Sequence, residues 1–83
     1  MQAGTDKQAL TELISNLLAK ELRLNIAEIR ADEALTSYGL DSIAALTIAG
    51  ELEEAFHIEL PSTLLWDCPT IDALASYLEG ILA

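Results

Sequence analysis

Apolar residues recur along this chain in three separate stripes of helical period. Leu10, Leu13, Ile14, Leu17 and Leu18 fall three and four residues apart. They predict a first helix from about Asp6 to about Leu22, with Thr5 and Gln8 as its capping box. Ala45, Ala49, Leu52 and Phe56, with Leu46 at the edge, form a second stripe on a helix from Ser42 to about Phe56. Ile71, Leu74, Ala75, Leu78 and Leu82 form the third. That last helix follows Pro69, takes Thr70 as its cap and has Asp72 in its first turn, where a carboxylate suits the helix dipole. Between the second and third stripes, Pro61 sets up Ser62 as the N-cap of a short helix through about Trp66. The segment Phe56 to Leu60 alternates, but five residues without a pairing partner predict an extended loop rather than a sheet. The expected fold is all-α, a small antiparallel bundle of three main helices plus one short helix, built from residues 1–83 as a single domain.

The stretch from about Leu24 to Asp41 breaks the periodicity. Asn25 and Glu28 stand three apart and predict one capped turn. Ile26, Ile29, Leu35, Tyr38 and Leu40 are the side chains expected to pin this long loop as a lid over the core. Glu21 projects onto the apolar stripe of the first helix, where the pattern gives no reason for it; turning outward and pairing with Arg23 are both open. Trp66 is expected in the core or at its rim.

Composition narrows the function classes. A chain of 83 residues supports one small core, so most of its 52% apolar content must be used in packing, which leaves little for a deep catalytic cleft. Two prolines and four glycines fit an ordered helical domain. No apolar run approaches the roughly 18 residues of a membrane span, and the N-terminal stretch has no signal-peptide pattern, so a cytoplasmic protein without membrane contact is expected. Fourteen acids against four bases give a formal charge of −10, which opposes nucleic-acid binding and calls for partners with basic patches. The single cysteine, Cys68, cannot form an internal disulfide and reads as a small buried apolar residue.

The candidate chemistry sits at the head of the second helix. Gly39 ends the irregular segment, Asp41 is a good N-cap, and Ser42 follows at the first helical position with its hydroxyl outward. A phosphate ester there would lie at the positive end of the helix dipole. Leading away from Ser42 on the side opposite the core are Ile43, Thr47, Gly50, Glu51 and Glu54, an apolar anchor with a carboxylate rim that reads as a partner-binding face. A hydrolase would need a base for Ser42. The only histidine, His57, lies about 22 Å along the helix at 1.5 Å per residue, and Ala44 stands where a nucleophile elbow needs its second glycine. No metal is expected, because no Cys/His cluster or calcium-loop spacing occurs.

The stretch Gly39-Leu40-Asp41-Ser42-Ile43 resembles the attachment motif of acyl carrier proteins. The block Leu60 to Asp67, with Pro69-Thr70-Ile71 and Ala73-Leu74-Ala75, is similar to the second half of polyketide-synthase carrier domains. The resemblance implies that Ser42 bears 4'-phosphopantetheine, that a separate phosphopantetheinyl transferase transfers it from coenzyme A, and that the arm's thiol carries acyl groups as thioesters. It implies a non-catalytic protein. Asp41 matches the acid associated with transferase recognition, and its capping role coexists with that. Expected partners are the transferase and the acyl-loading, ketosynthase and other synthase enzymes, visited by a monomer or by a domain of a larger synthase.

Within that family, peptidyl carriers usually have a second glycine and often a histidine before the serine, where this chain has Leu40 and Asp41, so the acyl branch is favoured. Fatty-acid carriers usually have denser acids early in the second helix, where this chain has Ala44, Ala45 and Thr47, so polyketide or related biosynthesis is favoured. The alternatives are a fatty-acid carrier, a peptidyl or aminoacyl carrier and, from another class, an acidic helical interaction module in which Ser42 is only a cap.

Overall fold

A computed structural model describes residues 6–82. Within them the chain forms α1 (Lys7–Leu22), α2 (Ser42–Phe56), α3 (Leu64–Asp67) and α4 (Ile71–Leu82), with two 3-10 turns at Ile26–Glu28 and Leu35–Tyr38. No strand forms among the described residues, where one isolated bridge joins Ala34 and Thr70. The all-helical expectation of three main helices and one short one therefore holds.

Helix α1 begins at Asp6, whose carboxylate accepts from the Ala9 N–H at 2.8 Å. Thr5, expected in a capping box, lies outside the described residues. Leu10, Ile14 and Leu18 are fully buried, and Leu13 and Leu17 pack at the margin of the core. The helix packs chiefly on α4, and Lys7 Nζ meets Asp72 Oδ1 at 2.8 Å between their first turns. At its other end Arg23 turns left-handed (φ 56°), and the Leu24 N–H reaches back to the Ala19 carbonyl at 2.9 Å. Glu21 is half-buried and pairs with no base among the described residues.

Helix α2 spans the expected residues, but its core stripe differs at one step. Ala45, Ile48, Ala49 and Leu52 are buried, Phe56 packs partly against them, and Leu46 is 53% exposed. The correction follows from projection: Ile48 lies about 60° from Ala45 around the helix, whereas Leu46 lies about 100° away on the other side. The helix ends at His57, left-handed at φ 55°, with the Ile58 N–H bonded to the Glu53 carbonyl at 3.2 Å.

Glu53 then does something its neighbours do not. Its Oε2 accepts from the Leu60 N–H at 2.7 Å in a half-buried site, tying the extended loop back to α2. Glu53→Ala should cost about 1.5 kcal/mol in urea unfolding, the low end for a hydrogen bond to a charged group because the site is half-exposed. Glu54→Ala, whose side chain is exposed, should stay within about 0.5 kcal/mol.

The long loop is pinned, though by fewer apolar side chains than expected. Leu35 and Leu40 are buried and Ile29 packs on the core, but Ile26 is 48% exposed, since its turn is closed by the Asn25 and Glu28 capping box. Backbone bonds supply the remainder. The Leu35 N–H donates to the Pro69 carbonyl at 2.7 Å, and the Asp72 N–H to the Ala31 carbonyl at 2.9 Å, sewing the loop to the start of α4.

The short helix starts later than Ser62. Thr63 is the residue before it, and the Thr63 hydroxyl donates to Asp67 Oδ2 at 2.8 Å instead of capping a backbone N–H. Leu64 and Leu65 take the buried positions, which leaves Trp66 44% exposed rather than in the core. Cys68 is buried as expected, and burial first and the Asp67 carboxylate second raise its thiol pKa, so it stays protonated at neutral pH. Thr70 caps α4 through its hydroxyl, which accepts from the Ala73 N–H at 3.1 Å, and Ile71, Leu74, Ala75 and Leu78 face inward with Leu82 partly covered.

Candidate functional site

Two fixed points place Ser42. Upstream, the chain passes Gly39 at φ 84°, a left-handed conformation that a Cβ would strain although the space around it is open, and then buries Leu40. Directly before Ser42, Asp41 is extended and caps α2: its carboxylate accepts from the Ala44 N–H at 2.8 Å and its carbonyl from the Ala45 N–H at 2.9 Å. Ser42 is thus the first residue of α2 and is exposed. No described residue forms a hydrogen bond to its hydroxyl. The Ser42 and Ile43 N–H groups likewise have no acceptor among the described residues, as expected for the first turn of a helix.

The face leading away from Ser42 keeps the expected residues and gains one. Ile43 is 77% exposed, Thr47, Gly50 and Glu51 are half-exposed, and Glu54 is exposed. Leu46 joins Ile43 on this side as a second exposed apolar side chain, which a stricter projection of the sequence would have found. The Thr47 hydroxyl donates to the Ile43 carbonyl at 2.9 Å and so is engaged within the helix.

His57 sits at the opposite end of α2 as its C-cap, out of reach of Ser42, and no group of metal-binding side chains occurs among the described residues. No helix of the described residues is long and apolar enough to cross a membrane. What the site offers is a free hydroxyl on a rigid support.

Charge is distributed unevenly along the sequence. Lys7, Lys20, Arg23 and Arg30 are the only Lys and Arg residues, and Asp6, Glu12, Glu21 and Glu28 offset them. The formal charge of −10 therefore falls entirely on the chain beyond Arg30, which carries acids and no Lys or Arg. Helices α2, α3 and α4 all lie in that part.

The domain is helical and presents an unbonded serine hydroxyl at a helix head, with the one histidine at the other end of that helix. Residues 12–78 match the family model described as the phosphopantetheine attachment site, and the chain belongs to that family, whose members carry covalently attached 4'-phosphopantetheine. It is 39% identical over 86% of its length to a non-reducing polyketide synthase of Emericella nidulans. It is 36% identical over its whole length to one chain of the phenolphthiocerol/phthiocerol polyketide synthase of Mycobacterium tuberculosis. It spans 3% and 4% of those two proteins. Among solved structures, a free-standing peptidyl carrier protein from a secondary metabolic pathway of Acinetobacter baumannii is 49% identical. That match has a TM-score of 0.92 and covers 95% of this chain and 99% of that one.

The site fits the group that the family carries. A phosphate ester on Ser42 Oγ would meet open solvent and two N–H groups of the first turn that pair with no described residue, while the adjacent Asp41 carboxylate, already held by the Ala44 N–H, opposes it.

Proposed function

We propose that Ser42 is the attachment residue and that the domain shuttles acyl intermediates between the enzymes of a polyketide or related cytoplasmic biosynthesis. The observation that carries this is the exposed Ser42 hydroxyl at the head of α2, bonded to no described residue and held in place by the buried Leu40 and the Asp41 cap that precede it. In loading, Ser42 Oγ bonds to the phosphorus of coenzyme A that bears the pantetheine. The pyrophosphate bridge breaks, adenosine 3',5'-bisphosphate leaves, and the hydroxyl proton is lost to a base of the transferase. When bound, the group supplies a terminal thiol on a flexible arm, which holds an acyl chain as a thioester. The chain's own residues hold the attachment point still and offer Ile43, Leu46, Thr47, Gly50, Glu51 and Glu54 to whichever enzyme receives the arm.

The test is intact mass after incubation with coenzyme A, magnesium and a broad-specificity phosphopantetheinyl transferase, with peptide mapping of the added group to Ser42. Failure to gain the mass of one phosphopantetheine, or its location elsewhere, refutes the assignment.

A second reading concerns the cargo. The 49% identical structural neighbour is a peptidyl carrier, so an aminoacyl cargo is the rival to an acyl one, although Leu40 and Asp41 stand where peptidyl carriers usually have a glycine and often a histidine. Loading the free chain with acyl and aminoacyl coenzyme A analogues and offering each product to a ketosynthase and a condensation enzyme separates the two.

Asp41 has both a structural and a recognition role in this reading. Asp41→Ala should lower stability by about 1 kcal/mol through the lost cap, read by thermal unfolding, and slow transferase loading measured well below the midpoint. An unchanged loading rate leaves Asp41 with the cap alone.

A further inference from the structure

The segment before Ser42 is closed on itself by one side chain. The Arg30 N–H donates to the Tyr38 hydroxyl at 2.7 Å, and that hydroxyl has the Arg30 carbonyl at 3.1 Å and Glu33 Oε1 at 3.3 Å as acceptors for its single proton. Ser37 adds a second strut, its hydroxyl lying 2.6 Å from the Ala34 carbonyl and 3.0 Å from Glu33 Oε2. The backbone from Arg30 to Tyr38 is thereby folded into a loop whose two ends meet at the Tyr38 oxygen. Its middle is fixed separately, through the Ala31 and Leu35 bonds to the start of α4.

We infer that Tyr38 is a positioning residue for the modification of Ser42, acting through its hydroxyl to hold the surface beside the serine in one conformation. The inference rests on Ser42 being the attachment residue. Tyr38 stands four residues before Ser42, with only left-handed Gly39, buried Leu40 and the Asp41 cap between them. An enzyme that reaches Ser42 Oγ must lie over α2 and over the end of this loop. If the loop is already closed, the enzyme meets an ordered surface; if it is open, the ordering cost falls on the encounter and appears as weaker binding. Once bound, the serine itself is still held by α2, so turnover is spared. The phenol ring is half-buried and suffices for packing, so the hydroxyl is the part that distinguishes positioning from filling space.

Tyr38→Phe keeps the ring and removes the clamp. Tyr77→Phe is the matched control, removing a hydroxyl from an exposed tyrosine of α4 that bonds no described residue. Amide hydrogen exchange of the unloaded chain should show Arg30 exchanging about fivefold faster in Tyr38→Phe, with the core amides of α1 unchanged. Phosphopantetheinyl transfer should show KM for the carrier raised about fivefold and kcat within about twofold. Tyr77→Phe should alter neither. An unchanged Arg30 amide overturns the clamp. Faster Arg30 exchange with an unchanged KM overturns the positioning role and leaves a local structural one. Loading of the unaltered chain at a residue other than Ser42 overturns the attachment reading and the positioning role with it, while the exchange data still report separately on the clamp.

Discussion

Ser42→Ala is expected to abolish phosphopantetheine loading completely while shifting the unfolding free energy by no more than about 0.5 kcal/mol. The asymmetry follows from where the hydroxyl is. Asp41 already caps α2, no described residue bonds to Ser42 Oγ, and the side chain is exposed, so the fold loses nothing on truncation. Alanine is moreover a better helix former than serine. Loading has no substitute oxygen at that position, since the next hydroxyl on α2 is that of Thr47, which is half-buried and bonded to the Ile43 carbonyl. Intact mass and a thermal melt on the same sample read both halves. Gain of the arm by the alanine variant moves the site elsewhere, and a collapsed melt makes Ser42 structural.

Ile43→Asp is expected to shorten the lifetime of complexes with partner enzymes about ten- to a hundredfold, the ratio for losing roughly 1.5–3 kcal/mol of covered apolar side chain. Folding should be spared, because at 77% exposure Ile43 contributes little to the core. Reversing Glu51 and Glu54 to lysine should act differently, lowering the association rate and flattening its salt dependence while turnover of bound cargo changes less. Glu79→Lys on α4 is the control, outside the α2 face. Stopped-flow association and dissociation with a ketosynthase or the transferase separates the two effects. Should Glu79→Lys weaken binding as much as the double reversal, net charge alone governs recognition and α2 is not the docking face.

Much of this was legible in the sequence because the signals were redundant. Each long helix showed both an apolar stripe and, at Asp41 and Thr70, a polar side chain standing just before it, so period and cap agreed on where α2 and α4 begin. Asn25 and Glu28 announced their turn in the same way. Ser42 stood out because Gly39, Asp41 and the start of a stripe converged on it. The ends of α1 and α2 fell at Leu22 and Phe56, where the stripes stop, although both helices end in the left-handed conformation without glycine, at Arg23 and His57. The stop is a local backbone motif, in which the Leu24 and Ile58 N–H groups reach back to the Ala19 and Glu53 carbonyls, and Ile58 also packs on the core. Leu46, placed at the edge of its stripe, and Trp66, placed in the core or at its rim, are both exposed, because Ile48 on α2 and Leu64 and Leu65 on α3 take the inward positions. Glu53 was hidden among other glutamates, and only the return of the chain at Leu60 gives its carboxylate a separate task. Tyr38 was counted as an apolar pin, and beyond its half-buried ring its hydroxyl also bonds the Arg30 backbone.

The confinement of all net charge beyond Arg30 bears on tempo. A shuttle that must leave each station as readily as it arrives gains nothing from tenacious grip. Carboxylates such as Glu51 and Glu54, which pair with no cation among the described residues, remain hydrated, and hydrated charge draws a basic surface from a distance of about one Debye length, roughly 8 Å in physiological salt, while adding little to how long contact lasts. For the proposed shuttle, delivery should be hastened without departure being slowed, and a rise in ionic strength should retard traffic to every station together rather than reroute it.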